Sequence, residues 1–478
     1  MGILVRGGTV VTAAGVQEAD VLVQGERIAQ IGVGIDPGPD NEILDASGKL
    51  VLPGAIDTHV HFELPFCGTV SKDDFAGGSQ AAACGGVTTF IDFATQSPGQ
   101  TLTECIEERK AQADDRVCID YALHATITDW SDRIRSEMRS VIQGGVPSFK
   151  MYMIYKDEGW MASDSDLFFA LQEARKWGGM IGVHAENVEL VTALANQALH
   201  DGTWRSEGAY AHFLSRPAFT EAEAVQRAIA LAQYGGGVLY VAHTSSRLGI
   251  QEIRQAKALG LRVYAETCPQ YLLLDATLLK NSVNGHLYGT CPPVRTTEDR
   301  LALWRALSHG VIDFMGTDTC TFDTKQKEMW EGDFSKIPFG LPGIETFLPL
   351  MFSEGYLKGR LTLEQLVAVT STHAARIFGL YPRKGSISIG ADADLVIIDS
   401  EREVVIDWEK LRTNCDWSPY QGMTVTGWPE VTLCRGKVVA KEGAFVGNVG
   451  WGRFIPGSSC KRTGNTFVQA VFREEGLQ

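Results

Sequence analysis

Gly54-Ala55-Ile56-Asp57-Thr58-His59-Val60-His61 follows an apolar run that begins at Leu50, and it ends in a His-x-His pair. In a β-strand, side chains two residues apart point to the same face. The pattern therefore predicts a strand whose end presents His59 and His61 together. Two adjacent imidazoles form half of a metal site, although two buried, hydrogen-bonded histidines would give the same pattern.

The composition is that of a globular protein of ordinary polarity. The chain has 478 residues, of which 44% are hydrophobic and 21% charged, and its formal net charge is -15. This length accommodates one large α/β domain and a smaller one. The acidic balance argues against nucleic acid and anionic membranes as partners.

Targeting and redox signals indicate a cytoplasmic protein. Residues 1–6 lack the features of a signal peptide, and no apolar run reaches membrane-spanning length. The ten cysteines include no C-x-x-C pair, a distribution typical of reduced, mostly buried thiols.

The rhythm of the chain changes twice. Short strands separated by Gly, Asp and Pro fill residues 1–53, and a similar β pattern returns at 384–446. Between them, at 54–383, strands alternate with helical spacing, for example at 164–177, 220–234 and 247–259. We expect the two β segments to form one domain that the middle segment interrupts, followed by a polar, Gly-rich tail at 447–478.

Eight β-rich runs lie within the alternating region, at 51–61, 87–94, 117–127, 146–153, 179–184, 237–243, 261–267 and 311–317. Eight is the number that closes a parallel barrel. An open doubly wound sheet is the alternative, but no dinucleotide glycine fingerprint follows an early strand. The predicted fold class is therefore α/β, a (β/α)8 TIM-like barrel with a smaller β-sandwich domain built from both chain ends.

Chemically active side chains collect where the predicted strands end, which is where such barrels place their active sites. Taken singly, each has a structural explanation, such as a core histidine or a helix N-cap. As a set at one end of a barrel they are hard to explain by packing: His59, His61, Lys150, His184, His243 and Asp318.

Lys150 is the residue that needs a chemical explanation. Lysine is almost never fully buried unless it is paired, and a protonated amine cannot ligate a metal. Burial lowers the pKa of a lysine, and the neutral amine can react with carbon dioxide to give a carbamate, an anion that can bridge two cations. The set therefore predicts a two-metal hydrolytic site, with Asp318 as a ligand that also carries a proton to the leaving nitrogen.

These motifs resemble the cyclic amidohydrolases, specifically the dihydropyrimidinase and hydantoinase branch, over nearly the whole chain. The resemblance rests on an ordered set of segments: 54–61 with the following loop at 64–69, 148–150, 183–187, 241–243, 317–322 and 385–396. It implies an enzyme that opens the ring amide bond of dihydropyrimidines or 5-substituted hydantoins to N-carbamoyl amino acids by a metal-bridging hydroxide. It also implies a homotetramer.

The resemblance further implies two zinc ions per subunit. His59, His61 and Asp318 would hold one, and His184 and His243 the other. Carboxylated Lys150 would bridge the two ions. Tyr155 matches the tyrosine whose hydroxyl steadies the developing oxyanion.

Three positions depart from the family pattern. Cys291 replaces the usual Ser before Pro292-Pro293, Thr319 replaces His or Asn, and Phe339 replaces Asn. The resemblance implies that positions 291 and 339 contact the substrate ring largely through backbone groups, which would survive these changes.

Apolar residues follow two of the ligand strands and predict a cavity that accepts apolar ring substituents. Leu64, Pro65 and Phe66 follow the first strand, and Met153, Tyr155 and Trp160 follow the lysine strand. Phe339 would extend this wall. The same side chains would also serve simply to pack loops against the barrel.

Other readings stay open. A dihydroorotase would have Arg two residues after the second His, where this chain has Glu63. An allantoinase-like or imidase-like enzyme for another cyclic amide or imide remains an alternative. A non-catalytic scaffold of the same fold would require gaps in the ligand set, and the set is complete.

Overall fold

Eight parallel strands form the predicted barrel in the computed structural model, which describes residues 2–459. They pair in chain order, each with the next. Their bounds are Ala55–Val60, Val87–Thr95, Asp120–Thr126, Ser148–Tyr152, Met180–His184, Leu239–Val241, Val263–Thr267 and Phe314–Met315. The last strand returns to the first through a parallel bridge between Val60 and Thr319. The (β/α)8 prediction is confirmed.

Side chains fill the barrel interior, and at Gly182 there is no room for a side chain. All five residues of Met180–His184 are buried. A β-carbon at Gly182 would lie 2.0 Å from the ring of Tyr240 on the neighbouring strand. Glycine at this position therefore lets a fully buried tyrosine occupy the barrel interior.

Helices cover the outside of the barrel, and several end where the sequence signals predict. Asp164–Trp177 has the predicted bounds, with a capping box at Ser163 and a left-handed Gly178 after it. Between residues 2 and 459 no helix combines the length and apolar character that a membrane span needs.

The α-helices are Phe75–Cys84, Leu102–Ala113, Asp132–Gln143, Asp164–Trp177, Val188–His200, Thr203–Glu207, Tyr210–Leu214, Ala218–Gly235, Arg247–Ala258, Pro269–Leu273, Thr297–Ser308, Thr324–Lys327, Phe347–Leu350, Leu363–Val367 and His373–Ile377. The last three are joined by π-helical turns at Met351–Leu357 and Ala368–Thr372. Six short 3₁₀ turns lie at Ala276–Lys280, Gly285–Tyr288, Glu328–Trp330, Phe334–Lys336, Ile344–Thr346 and Trp408–Lys410.

A nine-stranded sheet beside the barrel draws on both parts of the chain that flank it. Its central contact is antiparallel pairing of Leu395–Ile398 with Leu50–Pro53, directly before the first barrel strand. Its strands are Gly2–Thr12, Gly15–Gln24, Arg27–Gly32, Glu42–Asp45, Leu50–Pro53, Leu395–Ile398, Pro429–Cys434, Lys437–Lys441 and Ala444–Phe445. Two small hairpins lie apart from it, Pro65–Phe66 with Thr69–Val70 and Glu403–Val405 with Thr424–Thr426.

The segment after the last strand packs against the barrel. Ile455 is fully buried, and its N–H donates to the carbonyl of Tyr121 at 2.7 Å. Phe454 forms a parallel bridge with Tyr121. The described part of the predicted tail, 447–459, is thus docked, and residues 460–478 lie outside the described part of the chain.

Candidate active site

The predicted ligand residues converge at the carboxyl end of the barrel strands. Asp318 Oδ1 lies 3.3 Å from Nε2 of both His59 and His61. The rings of His184 and His243 are 4.5 Å apart between centroids, and His59 and His243 are 5.3 Å apart. The tertiary structure therefore brings all four histidines and Asp318 into one cluster, although they are as much as 259 residues apart in the chain.

The backbone is strained where it turns these side chains inward. Asp318, Tyr155 and His243 have φ angles of 54°, 64° and 34°. Residues other than glycine rarely adopt this left-handed region, and such strain concentrates at functional sites. The backbone at all three residues therefore departs from ordinary strand geometry, which is consistent with a functional role for each residue.

A buried carboxylate orients His59. Glu266 Oε1 lies 2.7 Å from His59 Nδ1 and also accepts the His243 backbone N–H at 2.9 Å. Thr58 donates to the other oxygen at 2.8 Å. With the Nδ1 proton held by Glu266, the lone pair of His59 is on Nε2, which faces Asp318.

His184 is oriented in the opposite sense. Its Nε2 lies 2.8 Å from Glu186 Oε2, which also accepts from Arg216 at 2.8 Å. Burial alone would raise the pKa of Glu186, but Arg216 and His184 hold it well below its usual range. An ionised Glu186 leaves the lone pair of His184 on Nδ1, on the other side of the ring.

Lys150 is 1% exposed and has no carboxylate within ion-pair distance among the described residues. Its nearest polar contact is His243 Nε2 at 3.5 Å. Burial lowers the pKa of Lys150 to about 8. A lysine in this setting has an accessible neutral form, the form that a carbamate requires.

The donor set fits divalent cations. Ligand atoms of His59, His61 and Asp318 lie within 4.8 Å of one another. Burial lowers the pKa of His59 and of His243, which favours the neutral imidazole that ligates metals. Histidines held by carboxylates through the second ring nitrogen are typical of metal ligands, and His59 and His184 both have that support.

A second group of potential ligand atoms comprises His184, Glu186 and Cys291. The Cys291 sulfur lies 3.2 Å from Glu186 Oε2. The positive charge of Arg216 on that same oxygen disfavours a cation there. We therefore assign Glu186 to the support of His184 and not to metal ligation.

A cavity above the cluster is lined by most of the predicted wall. Aromatic and apolar side chains and the loops after 289 and 338 enclose it: Leu64, Phe66, Tyr152, Tyr155, Trp160, Thr290, Cys291, Cys320, Phe339 and Gly340. Phe66 and Trp160 stack with centroids 5.7 Å apart. The ring of Phe339, which stands where the family usually has Asn, stacks on the ring of His212 with centroids 4.4 Å apart, and this contact holds its position.

Two predicted wall residues lie elsewhere. Pro65 is exposed on the hairpin, and Met153 is 3% exposed within the hydrophobic core. Alternation along the strand and loop turns these two side chains away from the cavity. Thr319 is fully buried, and its hydroxyl accepts from Thr317, so this departure from the family pattern changes an interior contact.

Tyr155 is placed as a donor to the cavity. Its side chain lines the cavity, and burial raises its pKa well above the ordinary value, with a further contribution from the Cys291 thiol. The phenol therefore stays protonated across the physiological range and can donate a hydrogen bond.

Glu63 stands where a dihydroorotase would have Arg, and its side chain lies outside the cavity. Its carboxylate binds Arg116 at 2.6 Å on the outside of the cluster and does not line the cavity. A φ of 47° turns the side chain of Glu63 away from the histidines that precede it.

Sequence reasoning missed the residues that support the ligands. Glu266 is the next-to-last residue of the predicted strand 261–267, so its position near the carboxyl end of a barrel strand was an available signal. Arg216 lies outside any strand in a loop before a helix, and no local pattern connects it with Glu186.

A parallel β/α barrel with four histidines, a lysine and an aspartate at its carboxyl end defines the class of barrel hydrolases that use metal ions. The chain belongs to the amidohydrolase family: the family model described as "Amidohydrolase family" matches residues 50–439.

Relatives of known activity span nearly the whole chain. A D-hydantoinase of Geobacillus stearothermophilus is 44% identical over 95% of this chain and 96% of its own length. A dihydropyrimidinase of Rattus norvegicus is 40% identical over 95% and 88%. The crystal structure of a dihydropyrimidinase from Brevibacillus agri superposes with a TM-score of 0.94, at 40% identity, over 97% of this chain and all of that one. The resemblance to the hydantoinase branch is confirmed.

Proposed function

We propose that this chain opens the ring amide bond of cyclic ureides, namely dihydropyrimidines and 5-substituted hydantoins, and releases N-carbamoyl amino acids. The observation that carries the proposal is the position of buried Lys150, which lies beside four histidines and Asp318 in one cavity and makes no ion pair with an acid in the described part of the chain. The names of the relatives point to the same substrates.

Two divalent cations, which we propose to be zinc, fit the donor set. His59, His61 and Asp318 would hold one, His184 and His243 the other, and carboxylated Lys150 would contact both. When bound, such ions supply a nucleophilic hydroxide at neutral pH and polarise the attacked carbonyl.

The side chains of this protein have separable roles in the proposed reaction. Asp318 takes the proton of the attacking water and passes it to the ring nitrogen as the C–N bond breaks. The Tyr155 hydroxyl donates to the oxygen on which negative charge develops. The loops that carry Cys291 and Phe339 hold the ring through backbone groups, and Leu64 and Phe66 contact its substituent.

Another cyclic amide or imide is the second candidate substrate. Cys291, Thr319 and Phe339 depart from the pattern of the branch, so an imide or an allantoin-like ring is the alternative substrate. A non-catalytic scaffold is disfavoured because the six ligand residues are present and clustered.

We also propose a homotetramer in the cytoplasm, with a boundary between β domain and barrel at 53/54 and again at 383/384. The nine described cysteines are all free, which supports a reducing compartment. Light scattering on the purified protein measures the assembly directly.

A panel of rings tests the proposal. The purified protein with measured zinc content is given dihydrouracil, hydantoin, 5-phenylhydantoin, a cyclic imide and allantoin, and ring opening is followed by loss of ultraviolet absorbance and by chromatography. We expect turnover of the first three. Turnover of the imide alone would favour the second candidate, and zinc-loaded protein that opens none of the rings would contradict the proposal.

A further inference from the structure

The helical turn Thr324–Lys327 begins six residues after Asp318. Asp323 caps its first turn through a capping box with Gln326, and Lys72 binds Asp323 at 3.0 Å. Thr324 is bonded to Asp416 through both its N–H and its hydroxyl. The turn is thus fixed at its amino end, although it is only four residues long.

Lys327 is the second unusual lysine near the cavity. It is fully buried, yet it makes no ion pair among the described residues. Its amine donates to the backbone carbonyl of Pro338 at 2.6 Å and to that of Gly289 at 3.2 Å. The Gly340 N–H donates to the same Gly289 carbonyl at 3.0 Å.

These two carbonyls belong to separate loops that both line the cavity. Thr290 and Cys291 follow Gly289, and Phe339 and Gly340 follow Pro338. A single ammonium or amine group therefore joins two cavity walls that are about fifty residues apart in the chain.

Gln326 joins a third wall. Its side-chain amide donates to the Thr69 hydroxyl and to the Val70 carbonyl, both at 2.8 Å. These residues form the returning strand of the hairpin that carries Phe66 into the cavity. Two adjacent residues of one helical turn thus contact three of the segments that surround the substrate.

We propose that Lys327 and Gln326 are positioning residues that set the width of the substrate cavity and so determine which ring substituents are accepted. The inference rests on the proposed function for its substrate but on observed contacts for its geometry. Neither side chain lines the cavity, so neither touches the ring.

The arrangement does not depend on the charge of Lys327. Burial lowers the pKa of Lys327 to about 7. A neutral amine retains two N–H donors, which match the two carbonyls that it serves, so both protonation states can hold the loops. We therefore expect no separate pH dependence from this contact.

Lys327→Met tests the proposal, with Lys325→Met as a matched control because Lys325 is exposed on the same helical turn. Hydrogen exchange of the zinc-loaded proteins is followed by mass spectrometry. We expect faster exchange at 289–291 and 338–341 by about tenfold in Lys327→Met, because its two acceptor carbonyls lose a buried partner. Gln326→Glu keeps a side-chain oxygen to cap the turn but loses the amide donor to Thr69 and Val70. It should instead speed exchange at 65–70, and it serves as the second variant if Lys327→Met does not fold.

Selectivity supplies the functional readout. In Lys327→Met we expect the ratio of kcat/KM for 5-phenylhydantoin to that for hydantoin to change by about tenfold, mainly through KM, with zinc content unchanged. Equal losses on both rings would indicate general destabilisation and would overturn the proposal, as would exchange at the two loops that matches the control. If the wild type opened none of the rings, the proposed function would fail, while the exchange measurement would still decide the positioning role.

Discussion

Two buried lysines at opposite ends of the barrel have contrasting surroundings. Lys384, at the amino end of the strands, is 1% exposed and contacts three carboxylates, those of Asp120, Asp394 and Asp392, at 2.5–3.1 Å. Burial alone would lower the pKa of Lys384, but Asp394 and Asp120 raise it above the ordinary value. Lys150 is equally buried at the carboxyl end but has no carboxylate within ion-pair distance in residues 2–459, and burial lowers its pKa to about 8.

The difference distinguishes a lysine that stabilises the fold, Lys384, from one that we propose takes part in the reaction, Lys150. Lys384 is locked in its charged form and joins Asp120 of the barrel to Asp394, which precedes the flanking sheet strand Leu395–Ile398. Lys150 has a pKa low enough for its amine to be partly neutral near physiological pH. Burying this polar group without an ion-pair partner costs free energy of folding. Lys150 lies at the end of the barrel that carries the candidate active site, and this is where we propose that the chemistry takes place.

Lys150→Ala should have the largest effect on activity. We expect zinc content and ring opening both to fall to background, because the neutral amine is the source of the proposed bridging carbamate. A short carboxylate added with bicarbonate should restore part of the activity. Lys156→Ala, on an exposed lysine nearby, is the control, and a Lys150→Ala enzyme with full zinc and full rate would remove the contrast with Lys384.

Asp318→Asn should lower kcat by several orders of magnitude and leave the fold intact. Asparagine keeps an oxygen near His59 and His61 but cannot accept the proton of the attacking water. Stopped-time assays at neutral pH with zinc measured on the same sample check this. Near-normal turnover would rule out Asp318 as the proton carrier.

Lys384→Met should destabilise the protein by about 3–5 kcal/mol, because it removes the cation that three buried carboxylates share. Asp120 and Asp392 keep arginine partners, whereas Asp394 loses its one ion pair among the described residues. Urea unfolding followed by circular dichroism measures the loss. Lys410→Met removes an exposed lysine 3.8 Å from Asp407 and should cost less than about 1 kcal/mol. A Lys384→Met protein that lost zinc and activity but kept its stability would contradict this contrast. Lys384 would then not have a purely structural role at the amino end of the barrel.

Tyr155→Phe should reduce kcat by about 10²–10³-fold with a small change in KM, since a donor aimed at developing charge acts mainly in the transition state. The phenol is protonated at neutral pH because burial raises its pKa. Steady-state kinetics on hydantoin separate the two constants. A rise in KM alone would reassign Tyr155 to ground-state binding.

Phe339→Asn should have the smallest effect. We expect the preference for 5-phenylhydantoin over hydantoin to fall by about tenfold, because an apolar contact with a ring substituent contributes about 1.5–3 kcal/mol. The stack on His212 would also be lost. The ratio of kcat/KM values measures the change, and an identical ratio in variant and wild type would contradict the apolar-wall interpretation while leaving the hydrolase intact.

The sequence by itself determined the barrel and the set of candidate ligand residues. Strands of five or six residues with a histidine at or next to the carboxyl end, such as Ala55–Val60 and Met180–His184, can be recognised because strand periodicity and apolar runs are local properties. Parallel strands in a barrel bring their carboxyl ends to one rim, so residues at those ends meet wherever they lie in the chain. His59, His184 and Asp318 were therefore predictable as neighbours.

Only the tertiary structure decided what holds those residues in place. Glu266 reaches His59 across 207 positions, Lys384 reaches Asp120 across 264, and Lys327 reaches Gly289 and Pro338 in two different loops. The same is true of Glu63, which turns to Arg116 and away from the cavity. Side-chain partners of this kind depend on loop paths and on rotations about single backbone angles, and no periodic pattern in the sequence encodes them.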